Sequence, residues 1–348
     1  LGVATIGAGV MLAAGRKVNL RERSIVQSAL NLESGKGVVR LLKSVFLTTA
    51  IIELAGTAIG YISFSRDHAP LDALGISLFH AVASFNNAGF DILGNMQNLI
   101  PYADDVLLNL NTCAMIFFGG IGFPVILEAA RGRLRWHKMS MHARAAILTS
   151  AVLLVLGAVL LKFTEGFSWL KAVLFSFSTR TAGFSTAPLS SFTPAGLTVV
   201  MALMFVGASP GSTGGGVKTT TLFALLQGLK SAATNRSERV FHYSLPKDAF
   251  RKAATICAMS ILAIGTGTFL LLVFEKGLAI SDAMFEMVSA FGTVGLSTGI
   301  TPTLSTAGKL LSILVMFIGR LGPMTVATLW YFSRGERIAY PEGNISIG

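Results

Sequence analysis

The sequence predicts an all-α polytopic membrane protein made of repeated helix–pore loop–helix units in a pseudo-fourfold arrangement. Three observations carry this. Only 13% of the 348 residues are charged, about half of the ~25% usual in a soluble domain, and 52% are hydrophobic. So little polar side chain excludes a disordered or fibrous chain and argues against a soluble enzyme. Long apolar runs alternate with runs too short to cross ~30 Å of hydrocarbon, and the short ones suit re-entrant segments. Each short run ends in the same polar–small–Gly–apolar sequence.

The elements follow in chain order. Residues 1–15 are apolar but too short to span, and the chain starts inside this run at Leu1. They read as the end of the second helix of a first unit, largely absent, and 1–40 adds a cytoplasmic linker. Residues 41–142 form the second unit: span 41–63, short stretch 73–86, span 105–129. Residues 143–251 form the third: span 143–163, short stretch 169–179, and span 195–229, interrupted at 207–217. Residues 252–348 form the fourth unit and a tail: span 252–275, short stretch 282–291, span 307–333. About one quarter of a fourfold wall is then expected to lie before Leu1.

Charge sets the orientation. The net charge of +11 would point to nucleic acid in a soluble protein. Here most of the basic residues fall in loops 15–43, 130–144 and 230–252, with Arg334 and Arg337 after the last span. The positive-inside rule places these in the cytoplasm, which works only if the three short stretches re-enter without crossing. No nucleic-acid partner is expected. The basic loops suit anionic membrane lipid or the acidic face of a protein partner. Cys113 and Cys257 lie in apolar runs, and the five histidines show no ligand spacing, so no disulfide or metal framework is expected.

Aligned on glycine, the three motifs read Asn87-Ala88-Gly89-Phe90, Thr181-Ala182-Gly183-Phe184 and Thr293-Val294-Gly295-Leu296, with Phe85, Phe177 and Phe291 just before them. Non-helical backbone at lipid depth must line a cavity or be buried in protein. An extended stretch there presents carbonyl oxygens that can replace the hydration shell of a potassium ion. Glycine permits the positive φ that aims successive carbonyls at one axis. The preceding short helix points its negative dipole end the same way. Ordinary Gly-rich turns are the bland alternative, and three in register argue against it.

Residues 207–217 read Gly-Ala-Ser-Pro-Gly-Ser-Thr-Gly-Gly-Gly-Val, followed by Lys218. Gly207, Gly211, Gly214, Gly215 and Gly216 with a proline cannot stay helical. Val217 stands where a phosphate-binding loop needs lysine, and no strand precedes the segment, so nucleotide binding is set aside. A broken helix lining the pathway remains, with Ser209, Ser212 and Thr213 and free backbone groups satisfying one another; a passive kink is the alternative. Arg320 lies in the last span, where an arginine must face a cavity or a carboxylate. It reads as a positive barrier below the loops or as a salt bridge to Glu53 or Glu286. Arg180 reads as a brace, because a bare arginine in the ring would repel the cation. Asn86 is hydrogen-bonded scaffolding, and Glu286 is placed to brace its loop from behind. Asp91, Asp104 and Asp105 either draw cations to the mouth or form a solvated loop. No triad, carboxylate pair or phosphate loop points to an enzyme.

These motifs, with Phe317-Ile318-Gly319-Arg320-Leu321-Gly322-Pro323 and the ending from Tyr340-Pro341-Glu342-Gly343 to Gly348, resemble the Trk/Ktr/HKT superfamily of potassium transporters, most of all the membrane subunits of bacterial Ktr systems. The resemblance spans essentially the whole chain, although the superfamily has four units where this chain shows three and a fragment. It implies potassium uptake through a central pore in a multi-pass protein of the bacterial inner membrane, with K+ transported, sodium stimulation and no organic cofactor. It implies a mobile gating loop at 207–217 ending near Lys218. It also implies a homodimer regulated by a cytoplasmic ring of nucleotide-binding RCK subunits. A secondary transporter of a small solute, with the broken helix as its midplane site, is the alternative reading of the residues.

Overall fold

The computed structural model describes residues 38–328 apart from 96, 132–134, 236–238, 242 and 247. The expected helix end at 1–15 and the tail from 329 onward lie outside the described residues. The first helices are α1 (Val38–Phe64), α2 (Pro70–Phe85), α3 (Val106–Ile121) and α4 (Phe123–Arg131). Next come α5 (Met141–Glu165), α6 (Trp169–Ser178), α7 (Pro194–Phe205) and α8 (Thr219–Thr234). A two-residue hairpin, β1 (Arg239–Val240) with β2 (Tyr243–Ser244), precedes α9 (Ala249–Phe274), α10 (Ile280–Gly292), α11 (Thr306–Leu321) and α12 (Pro323–Thr328).

Local chemistry sets the helix starts. Asp105, Ser140, Ser168, Thr193 and Ser305 each accept the amide of the third helical residue, at Leu108, Ala143, Lys171, Gly196 and Gly308. This satisfies donors that would otherwise be orphaned. Pro70 and Pro194 open α2 and α7 where no amide is needed.

Three of the described helices, α1, α5 and α9, are long and apolar enough to cross a membrane. Their outer faces leave Leu47, Leu54, Val155, Phe163, Leu262 and Phe269 exposed. Each is followed by a short helix packed against it, α2, α6 and α10. The expected spans 105–129 and 307–333 are not continuous helices. The first bends by 98° between α3 and α4. Gly122 and Gly322 adopt φ of 98° and 90°, which a helix cannot accommodate. Pro124 and Pro323 then take positions in the first turn of the next helix, where their missing amide costs nothing. Arg320 therefore lies in the last turn of α11, beside a break.

Two carboxylates fix the other end of the bundle. Glu165, at the end of α5, accepts the Thr193 amide (3.1 Å) and hydroxyl (2.6 Å) at the start of α7. Glu275, after α9, accepts the Ser305 amide (2.7 Å) at the start of α11. Gly196 and Gly308 leave room for these carboxylates, since a Cβ at either would overlap Oε1. The main core joins α6, α7, α9, α10 and α11 around Phe175, Met204, Phe285, Met287 and Phe291. A second cluster joins Phe64, Ala73, Leu108 and Phe184.

Candidate functional site

The three motifs lie where short helices end. Each shows the same backbone alternation: φ is positive at the first and third residues, at Asn87 (51°) and Gly89 (68°), Thr181 (78°) and Gly183 (81°), and Thr293 (52°) and Gly295 (91°). A threonine at positive φ is a genuine outlier, held by its surroundings. The middle residue is tied back to the short helix. Ala88 donates to the Ala83 carbonyl (2.9 Å), Ala182 to Ser178 (2.9 Å) and Val294 to Ser289 (3.0 Å).

The loops meet in sequence order. A Cβ on Gly89 would lie 2.5 Å from the Ala182 carbonyl oxygen, and one on Gly183 would lie 2.2 Å from that of Val294. Asn87 Nδ2 donates to Thr181 Oγ1 (3.3 Å). Asn98 joins the first two loops, donating to the Gly89 carbonyl (3.2 Å) and accepting the Ser185 amide (3.0 Å). Asn86 donates to Glu53 Oε1 on α1 (3.1 Å). Glu286 accepts from Ser297 (2.9 Å) and Thr301 (2.7 Å) just past the third loop.

Residues 206–218 form the interruption between α7 and α8. A parallel bridge pairs Val206 with Val217. Its two ends are tied by Gly207 N–H to the Val217 carbonyl (2.9 Å) and Val217 N–H to the Phe205 carbonyl (3.2 Å). The tip lies against the motifs: a Cβ on Gly214 would lie 2.2 Å from Thr181 Oγ1, and one on Gly215 would lie 2.4 Å from Thr293 Oγ1. Gly216 approaches Gly292. Thr213 bonds through Oγ1 to the carbonyls of Phe85 (3.1 Å) and Gly119 (3.0 Å). Ser209 Oγ pairs with Thr219 Oγ1 (2.8 Å), Ser212 Oγ donates to the Ser209 carbonyl (2.5 Å), and Gly211 accepts the Phe123 amide (3.0 Å).

Three cationic side chains end on carbonyls of this segment. Lys218 Nζ reaches Gly214 (2.7 Å), Arg320 reaches Thr213 (2.5 Å), and Arg180 reaches Gly207 (3.1 Å). The alternative salt bridge from Arg320 to Glu53 or Glu286 is absent among the described residues, since those carboxylates take Asn86, Ser297 and Thr301 instead. Asp105 caps α3 and pairs with Arg66 (3.3 Å), whereas Asp104, which pairs with Lys171 at 3.7 Å, keeps a solvent-exposed side chain in keeping with a solvated loop.

Sequence reasoning missed Gly119 and the wider role of Gly319. A Cβ on Gly119 would lie 1.8 Å from the Phe85 carbonyl oxygen, and one on Gly319 would lie 1.8 Å from that of Phe291. The signal was present as a second register: Phe117-Phe118-Gly119-Gly120, Phe205-Val206-Gly207-Ala208 and Phe317-Ile318-Gly319-Arg320. Arg320 thus stands where the other two repeats carry Gly120 and Ala208.

Comparison with known proteins agrees with this architecture. The family model TrkH, described as a cation transport protein, matches residues 10–159 and 141–333. The Ktr system potassium uptake protein B of Bacillus subtilis is 34% identical, over 100% of this chain and 80% of that protein. The potassium/sodium uptake protein NtpJ of Enterococcus hirae is 34% identical, over 96% of this chain and 77% of its own length. The crystal structure of the potassium transporter TrkH from Vibrio parahaemolyticus superposes with a TM-score of 0.70 at 19% identity, covering 89% of this chain and 68% of that one. Apolar helices, a shared fold and a match over nearly the whole sequence place this multi-pass membrane chain in the TrkH family of cation transport proteins.

Proposed function

We propose that this chain takes up potassium across a bacterial inner membrane through a pore whose selectivity filter includes residues 87–89, 181–183 and 293–295. The carrying observation is the alternation of positive φ at the first and third positions of all three motifs. Such a backbone turns successive carbonyls to one side, where they can stand in for a potassium hydration shell. Segment 207–217 is the gate. Gly214 and Gly215 press against Thr181 and Thr293 at the filter's inner mouth, and Lys218 and Arg320 hold the segment there. Arg320 adds a positive barrier below the filter. The solute-transporter alternative needs an open site at the break, whereas here the segment is packed against its neighbours.

The function requires no catalytic chemistry and no organic cofactor. We further propose, from the resemblance of the motifs to Ktr membrane subunits, that the working assembly is a homodimer carrying a cytoplasmic nucleotide-binding RCK ring and that sodium stimulates the flux. Growth at low potassium of cells lacking potassium uptake, expressing the protein, tests the reading. Gly183→Ser should abolish the preference for potassium over sodium; an unchanged preference in folded protein would sink the filter assignment.

A further inference from the structure

We infer that Arg180 is a positioning residue that couples the filter to the gate, an inference that rests on the conduction reading above. Arg180 precedes Thr181, which holds a φ of 78° in the second filter loop. Its side chain is buried, and it turns away from the loop toward two other elements. One guanidinium nitrogen donates to the Ser150 carbonyl (3.4 Å) and another to Ser150 Oγ (3.3 Å), both on α5. The second nitrogen also donates to the Gly207 carbonyl (3.1 Å), where α7 gives way to the gating segment. No carboxylate pairs with it among the described residues.

The other two repeats show what is particular here. Asn86, the residue before the first triplet, also reaches back to its long helix, to Glu53 on α1. Gly292, before the third, has no side chain to reach with. The second loop thus has a brace with one end on the scaffold and the other on the gate. Gly207 is already a junction: its amide holds the Val217 carbonyl, and its Cα side is closed by Gly215. A cavity of about 20 Å³ borders Arg180, Ser150 and Ala208, and Arg180 Nε is buried without a partner. The guanidinium therefore has room to shift when Gly207 leaves.

The mechanical consequence is direct. With the gate seated, the bond to Gly207 holds Arg180, and Arg180 holds the unfavourable backbone of Thr181. When the segment withdraws, that bond breaks, one restraint on Thr181 is lost, and the filter changes with the gate. A planar guanidinium can hold two acceptors in fixed geometry, which an ammonium cannot.

The test is a double-mutant cycle on the full-length protein in proteoliposomes, reading the ratio of potassium to sodium flux. Arg180→Lys and Arg180→Gln should each change that ratio by about fivefold or more with the gate intact. In a chain lacking 207–216, the same substitutions should change it by less than about twofold, because the coupling partner is gone. Lys218→Met with Arg320→Gln releases the segment without deletion and gives the same comparison if the deleted chain does not fold. Equal shifts in both backgrounds would make Arg180 a plain structural brace and overturn the inference, as would no shift in either. Absence of potassium flux in the unsubstituted protein would sink the conduction reading and this inference with it, a result distinct from any of these ratios.

Discussion

At the scale of single residues, the informative feature is contact between backbones. Gly89 and Gly183 combine positive φ with a neighbouring carbonyl where a Cβ would sit. Gly183→Ala is therefore expected to cost about 1–3 kcal/mol from backbone strain alone, with the clash at Val294 added. A lowered melting temperature in detergent checks this, and Gly166→Ala, also at positive φ but with open space around its Cβ, should show the smaller loss. Arg320→Ala removes both the charge and the bond to Thr213, so potassium flux should rise; an unchanged rate would leave Arg320 no role in the barrier. Most of these residues were legible in the sequence, because glycines and a lone arginine in apolar runs stand out. Their partners were not. Arg320 has carboxylates available in composition, yet it bonds the carbonyl of Thr213, a residue 107 positions away that no spacing in the sequence announces.

At the scale of elements, the segment 207–217 is held by many modest bonds. Thr213 alone joins it to α2 and α3 through two carbonyls. Thr213→Val keeps the shape and removes the hydroxyl donor that the Phe85 and Gly119 carbonyls share; Gly119 still accepts the residue-213 amide (3.1 Å), and Phe85 loses its bond to the segment. The substitution should loosen the segment by about 1–3 kcal/mol and raise resting flux. Deleting 207–216 should raise flux further, and a lower flux in folded protein would mark the segment as a plain kink. The interruption was readable from its glycines and proline. The breaks at Gly122 and Gly322 were not, because the apolar runs continue past both glycines and hydropathy carries no dihedral information. The second glycine register, at 119, 207 and 319, could have exposed them.

At the scale of the whole molecule, low charge, run lengths and the repeated motif sufficed for the class of fold, since each follows from the solvent the chain meets. The relative placement of the repeats was beyond the sequence: that Gly89 touches Ala182 while Gly183 touches Val294 depends on how the units pack. The two carboxylate clamps, Glu165 on Thr193 and Glu275 on Ser305, lie at the end that the basic loops assign to the outside. Glu165→Gln should destabilise the fold by about 1 kcal/mol or less, because the exposed Thr193 amide and hydroxyl exchange a charged acceptor for a neutral one; a thermal melt measures it. The opposite ends of the same helices carry glycine breaks and a glycine-rich segment. Carboxylate clamps thus stand at one mouth, and glycine breaks stand at the other. If 207–217 is the gate proposed above, a signal that opens it is expected to act on the side that the basic loops assign to the cell interior.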